Sequence, residues 1–172
     1  AIELCDSYRT QYGDDFVSAM PTNLYGPGDN FDLQGSHVLP ALLRKVLEAK
    51  EQSADSVEIW GSGTPLREFL YVDDLAEACL FIVRNVSMPG PINVGTGEDV
   101  SIRELAELVA DVVGYEGTFR YDASKPDGTP RKLMDVSLLA GQGWTASTGL
   151  REGIQRTLNW YLANRADAVP SS

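Results

Sequence analysis

Apolar residues recur at helical spacing in four segments of the chain, each with its own start and stop signals. After Ser36, the residues Leu39, Leu42, Leu43, Val46 and Leu47 form one stripe along a helix face. Pro40 is compatible with that helix, because N–H groups in a first turn have no helical partner. A second stripe, Leu75, Cys79, Ile82 and Val86, follows Asp73 and Asp74, two acids suited to the positive end of a helix. The third follows Ser101, which forms a capping box with Glu104. It runs through Ile102, Leu105, Ala106, Val109, Val112 and Val113 to a stop at Gly114. The last spans roughly 149–164, with Leu150, Ile154, Leu158 and Tyr161 on its inner face. A weaker pattern, Ile2, Cys5, Tyr8 and Tyr12, opens the chain and stops at Gly13. No N-cap precedes Ile2, so the sequence is expected to be part of a longer protein.

Five short runs rich in β-branched and aromatic residues alternate with these helices: 16–20, 57–60, 68–71, 92–94 and 118–121. The alternation predicts an α/β fold. Stretches 21–35, 61–67, 87–91 and 123–131 carry the turn-formers and read as loops, and 166–172 reads as a frayed tail.

Composition narrows the function. The 172 residues suit one domain with a substantial core. A net charge of −11 argues against nucleic acid or an anionic membrane as partner, since both require clustered basic surface. No run approaches the ~18 apolar residues of a membrane span, and the protein reads as cytoplasmic. Cys5 and Cys79 lack metal-ligand spacing and read as buried free thiols; no metal site is expected.

Candidate chemistry concentrates in a few stretches. "MPTNLYGPGDN" (20–30) is a strand end running into a Pro/Gly/Asn loop, the place where open α/β sheets hold ligands. "SHVLPALLRK" (36–45) places the only histidine, His37, at a helix start, as packing, as a cap or as an acid. "WGSGTPLREFLYVDD" (60–74) sets Trp60 and Arg67 around a flexible turn. "DASKPDGTPRK" (122–132) gathers two lysines and an arginine in an acidic chain. Together these suit an anionic, ring-bearing ligand. The plainer alternatives are a core Trp60, an Arg67 paired with Asp73 or Asp74, and a merely solvated 125–132 loop.

The order of these motifs resembles the C-terminal half of the GDP-L-fucose synthase family, within the extended short-chain dehydrogenases/reductases. "REFLYVDD" and "NVGTG" are common to many nucleotide-sugar epimerases and dehydratases, whereas "PTNLYGPGDNF", the histidine-bearing helix start and "KPDGTPRK" are more specific. The likeness covers nearly the whole chain and weakens after Trp144. It implies an α/β fold: the C-terminal substrate-binding part of such an enzyme, with the last strand and helix of a Rossmann sheet plus a small mixed α/β subdomain. Residues 1–35 would be a remnant of the dinucleotide-binding domain, 36–165 mainly the substrate-binding subdomain, and 166–172 the tail.

The resemblance implies 3,5-epimerisation and NADPH-dependent 4-reduction of GDP-4-keto-6-deoxy-D-mannose. The family's Gly-rich fingerprint and catalytic Tyr-x-x-x-Lys belong ahead of Ala1, so this chain alone is expected to be inactive. Pro21, Thr22, Asn23 and Leu24 match the stretch along the nicotinamide end of NADP(H). His37 matches the histidine that touches cofactor and acts as acid in epimerisation; its partner base, a cysteine, lies in the other half and is neither Cys5 nor Cys79. Lys45, Trp60, Arg67 and Asp127 match positions that hold the GDP-sugar, Lys45 standing where a bidentate arginine is also found. The family implies a homodimer. Rival expectations are another nucleotide-sugar epimerase or dehydratase, or a non-catalytic nucleotide-sugar-binding module.

Overall fold

Each helical stripe folds as a helix in the computed structural model, which describes residues 1–168. In chain order the elements are α1 (Ile2–Tyr12), β1 (Ser18–Pro21), β2 (Asn23–Tyr25), α2 (Val38–Glu51), β3 (Ser56–Trp60), β4 (Leu66–Tyr71) and α3 (Val72–Asn85). They continue with β5 (Pro91–Val94), β6 (Asp99–Ser101), α4 (Ile102–Val113), β7 (Thr118–Asp122), β8 (Arg131–Lys132), α5 (Ser137–Gly141) and α6 (Leu150–Ala168). The capping box forms as expected: Ser101 Oγ accepts from the Glu104 N–H, and the Glu104 carboxylate accepts from the Ser101 N–H. Gly13 and Gly114 close α1 and α4 at φ of 76° and 73°, left-handed values that glycine adopts without strain.

Several boundaries differ from the expectation. Helix α3 starts at Val72, so Asp73 and Asp74 lie inside its first turn, where their charge still meets the positive helix end. The 21–35 stretch contains β2, the 61–67 stretch includes the start of β4, and the 123–131 stretch ends in β8. Strands β2, β6 and β8 span two or three residues, too few for alternation to show, and tertiary pairing alone creates them. Residues 166–168 continue α6 instead of fraying, and 169–172 of the expected tail lie outside the described residues.

Strands β1 and β5 form one parallel pair, β3 and β7 another, and β4 lies between β2 and β6, with β8 also paired to it. Every pairing is parallel except β4 with β6. Between β1 and β2 the chain changes sheets within one residue: Pro21 opposes Val94, the Thr22 N–H bonds to the Val94 carbonyl, and Asn23 already opposes Phe69.

Two apolar clusters result. One packs α2, α4 and α6 with β3 and β4 around Phe31, Leu43, Val46, Leu105, Val109 and Ile154. The other packs α3 and α5 on β1 and β5 through Leu70, Ala78, Ile82, Ile92, Val94 and Leu139. The cysteines correct the sequence expectation: Cys79 is exposed and Cys5 half-exposed, and both line one surface groove with Phe16 and Val83. The buried face of α3 is the Asp74, Ala78, Ile82 line, one position round from Cys79. Among the described residues, no helix is long and apolar enough to cross a membrane.

Candidate functional site

Two cavities flank the start of α2, and the residues that the sequence singled out divide between them. The first, of about 470 Å³, opens beyond the carboxyl ends of β1 and β2 and is lined by Thr22, Asn23, Leu24, Asp29, His37 and Val72, among others. Pro21 lines an adjoining groove with Thr22, Asn23 and the 132–134 segment. The sheet crossover holds this wall still. Asn23 Nδ2 donates to the Glu68 carbonyl at 2.7 Å, and Thr22 Oγ1 donates to the same oxygen at 3.3 Å. Gly26 is needed beneath it, since a Cβ there would sit 2.6 Å from Val72 Cγ1.

His37 occupies the N-cap position of α2 with extended backbone, and its carbonyl accepts from the Ala41 N–H. Its imidazole makes no capping bond and is exposed. Side-chain capping and core packing are therefore both ruled out, and the ring is available for chemistry. Asp29, on the same cavity, bonds the Asn30 N–H through Oδ1, while Oδ2 is buried without a partner. Burial pushes this carboxyl above its ordinary range, against the opposing pull of the Asn30 N–H and the His37 charge.

The second cavity, of about 350 Å³, is lined by Lys45, Trp60, Arg67 and Asp127 together, with Ser36 and Val38 on the α2 side. Alternation along β3 buries Val57 and Ile59 and turns Trp60 outward, so the indole is 63% exposed and not part of a core. Lys45 Nζ and Lys125 Nζ lie 5.4 and 5.5 Å from the ring centre. Arg67 projects from β4 and, among the described residues, makes no ion pair. Asp74 is instead taken by Ser147 and Thr148. Strand pairing sets Arg67 opposite Lys132. The Asp127 carboxylate accepts from the Ser62 N–H at 2.6 Å and the Ser62 hydroxyl at 2.8 Å, tying the 122–130 loop to the turn after Trp60. Gly61 permits that approach, because its φ is 86° and a Cβ would stand 2.4 Å from Asp127 Oδ1. The 125–132 loop is thus more than solvated chain: Lys125 faces Trp60, Asp127 holds Ser62, and Arg131 pairs with Asp99. An exposed indole beside ammonium groups and a guanidinium can stack a planar ring and neutralise an adjacent anion.

Sequence reasoning missed Glu68. Its side chain is fully buried, with Oε1 accepting from the Thr96 and Gly97 N–H groups at 2.7 and 2.8 Å and Oε2 from the Met134 N–H at 3.0 Å. Gly95 must be glycine for this, since a Cβ would lie 2.2 Å from Oε1. One residue therefore ties the wall of the first cavity, through its carbonyl, to the segment after β8 that lines the adjoining groove. No local signal marked it, because Glu68 is buried along with Phe69, Leu70 and Tyr71 and β4 shows no alternation. The spacing Tyr-x-x-x-Lys does occur once, at Tyr121 and Lys125, but strand β7 ends between them at Asp122. Tyr121 stacks under Arg103 while Lys125 faces Trp60, so the two do not form a dyad.

Comparisons with known proteins bear on the fold and the family. Residues 1–95 match the model of the NAD dependent epimerase/dehydratase family. The chain is 57% identical over 163 residues to GDP-L-fucose synthase 1 of Arabidopsis thaliana, covering 95% of this chain and 50% of that protein. It is 53% identical over 173 residues to GDP-L-fucose synthase of Escherichia coli K12, covering 95% and 54% respectively. Among solved structures, a GDP-L-fucose synthetase from Naegleria fowleri bound to NADP superimposes with a TM-score of 0.88 at 31% identity. That match covers 98% of this chain and 54% of that one. The chain spans about half the length of the curated relatives it matches. With its mixed α/β sheets and sheet-end cavities, it belongs to the NAD dependent epimerase/dehydratase family.

Proposed function

We propose that this chain is the substrate-binding portion of a GDP-L-fucose synthase, which converts GDP-4-keto-6-deoxy-D-mannose to GDP-L-fucose by 3,5-epimerisation and NADP(H)-dependent 4-reduction. One observation carries this reading: at the start of α2, Thr22, Asn23, Leu24 and His37 line one cavity, with Pro21 in the adjoining groove, while Lys45, Trp60, Arg67 and Asp127 line another together with Ser36 and Val38, the two neighbours of His37. The first cavity fits the nicotinamide end of NADP(H), since it opens at the carboxyl ends of parallel strands. Pro21, Thr22, Asn23, Leu24 and His37 would hold it. When bound, that group supplies the hydride for reduction at C4.

In the second cavity Trp60 stacks the base, Arg67 and Lys45 offset the diphosphate charge, and Asp127 fixes the loop that closes over the nucleotide. Epimerisation needs a base on one face of the sugar and an acid on the other. His37 acts as the acid: its imidazolium gives a proton to the carbon of the enolate and recovers one from solvent. The division into a dinucleotide-domain remnant (1–35) and a mainly substrate-binding part (36–165) belongs to the same reading. So do a cytoplasmic setting and a homodimer, for which the exposed Leu4, Tyr8 and Tyr12 of α1 offer apolar surface.

The test is His37→Asn in the longer protein. The reading expects exchange of the C3 and C5 hydrogens with solvent deuterium to fall by about 10²–10⁴-fold, and reduction of an already epimerised keto-sugar to fall far less. Unchanged exchange would remove His37 from the role of acid. A simpler binding role for this chain is supported by the second cavity bringing Lys45, Trp60, Arg67 and Asp127 together. Titration calorimetry of the chain with GDP tests that, and an absence of heat would exclude it.

A further inference from the structure

The first cavity holds a feature that hydride and proton transfer do not by themselves explain. Asp29 Oδ2 is buried and has no donor. A buried acceptor left unpaired costs about 1–3 kcal/mol, so such a group persists where a donor reaches it in another arrangement of the site. Of the surrounding polar groups most are already engaged or have no proton to give, and Ser36 Oγ, itself buried without a partner, lines the second cavity instead. On the loop, Asp32 accepts from the Gln34 N–H. On α2, Arg44 is bound to Glu48 and to the Phe31 carbonyl. The Tyr25 hydroxyl points to the Leu150 carbonyl, and at the start of α3 Asp73 and Asp74 add only negative charge. Within the cavity, His37 remains: an exposed ring on a side chain with no capping bond.

We propose, on the reading of His37 as the proton donor, that Asp29 is its positioning residue. The buried Oδ2 takes the N–H of one imidazole nitrogen and so leaves the other aimed at the sugar. Among the described residues no direct bond joins the two side chains, so the contact requires the exposed ring to turn about its own side-chain torsions. A carboxylate behind an imidazole fixes which nitrogen carries the transferable proton and favours the charged ring.

Because His37 is the chain's only histidine, its imidazole C–H proton resonances can be followed in the 172-residue chain without ambiguity. In Asp29→Asn, the pH curve of the His37 resonances is expected to differ from that of the unaltered chain, because one nearby charge is lost. In the unaltered chain the same resonances should show a second, smaller inflection on the acid side as Asp29 gains its proton, and this arm needs no folded variant. Superimposable titration curves for the two chains, or a wild-type curve with no acid inflection, would overturn the proposal. The deuterium-exchange assay separates it from the reading beneath it. Coupled resonances with exchange unaffected by His37→Asn would sink the epimerase role alone. Uncoupled resonances with exchange lost would sink the positioning role alone. If both stand, Asp29→Asn in the longer protein lowers kcat for exchange about tenfold or more with KM within about twofold.

Discussion

The two apolar clusters are built from similar sequence patterns and reach different ends. Around α2, α4 and α6, helix stripes face one another and close completely: Phe31 stacks on Tyr161 at 4.3 Å between ring centres, and Leu43, Leu105 and Ile154 have no exposed surface. Around β1, β5 and α3 the apolar residues outnumber the surfaces that receive them. Helix α1 has no buried residue, Tyr12 is 64% exposed, and Val83 on α3 is 83% exposed. A stripe therefore predicts that a helix forms and which side is apolar, but burial also requires an opposing surface. Among the described residues, only the first cluster supplies one on every side.

That contrast can be broken or sharpened by measurement. The largest effect is expected at Leu105, where truncation to alanine should cost about 2–5 kcal/mol through lost burial and a cavity. Thermal unfolding that shifts no more for Leu105→Ala than for Val83→Ala would erase the distinction between the clusters. Glu68→Ala comes next, at about 3 kcal/mol, because it strands the N–H groups of Thr96, Gly97 and Met134 without an acceptor. Denaturant titration reads this directly, and a cost below that of a surface residue would mean water replaces the carboxylate. A smaller effect with a definite sign belongs to Asp29. Its carboxyl is held above the ordinary range, so its stability contribution is present at acid pH and is lost as pH rises through the raised value. Asp29→Asn should therefore melt higher than wild type near pH 7 and equally near pH 3; the reverse order would contradict the burial of the charge. Smallest is Val83→Ser, expected within about 0.5 kcal/mol. Its signature lies elsewhere, as reduced self-association in sedimentation, since it removes apolar surface from an open face.

What could be read from the sequence follows the same division. The capping box at Ser101, the stop at Gly114 and the stripes of α2 and α4 are local signals, and each appears in place. Strands β2, β6 and β8 exist only because β4 lies beside them, so no local pattern announces them. Cys79 shows the limit of a stripe: one position on a helix, about 100° of rotation, separates it from the buried Ala78. Of the candidate site, Lys45, Trp60, Arg67 and Asp127 were individually ambiguous, and their common cavity distinguishes them from core, ion-pair and solvated residues. His37 was legible as a helix start, and only the structure shows that its backbone caps while its ring stays free. Glu68 was hidden by its own chemistry, because a charged residue in a short strand ordinarily marks the solvent side.

Glu68 has a consequence for how this chain can change length. Its carboxylate fastens residues 96, 97 and 134 to one point on β4, and its carbonyl fastens 22 and 23 to the same point. Residues added or removed next to those contacts would pull a backbone N–H away from an acceptor that has no solvent substitute. Away from the fastenings that constraint is absent, as in the exposed turn 141–143, where a Cβ added at Gly141 or Gly143 meets nothing within 4 Å. Insertions and deletions should accordingly be accepted in that turn and refused within a residue or two of Gly95 or Met134.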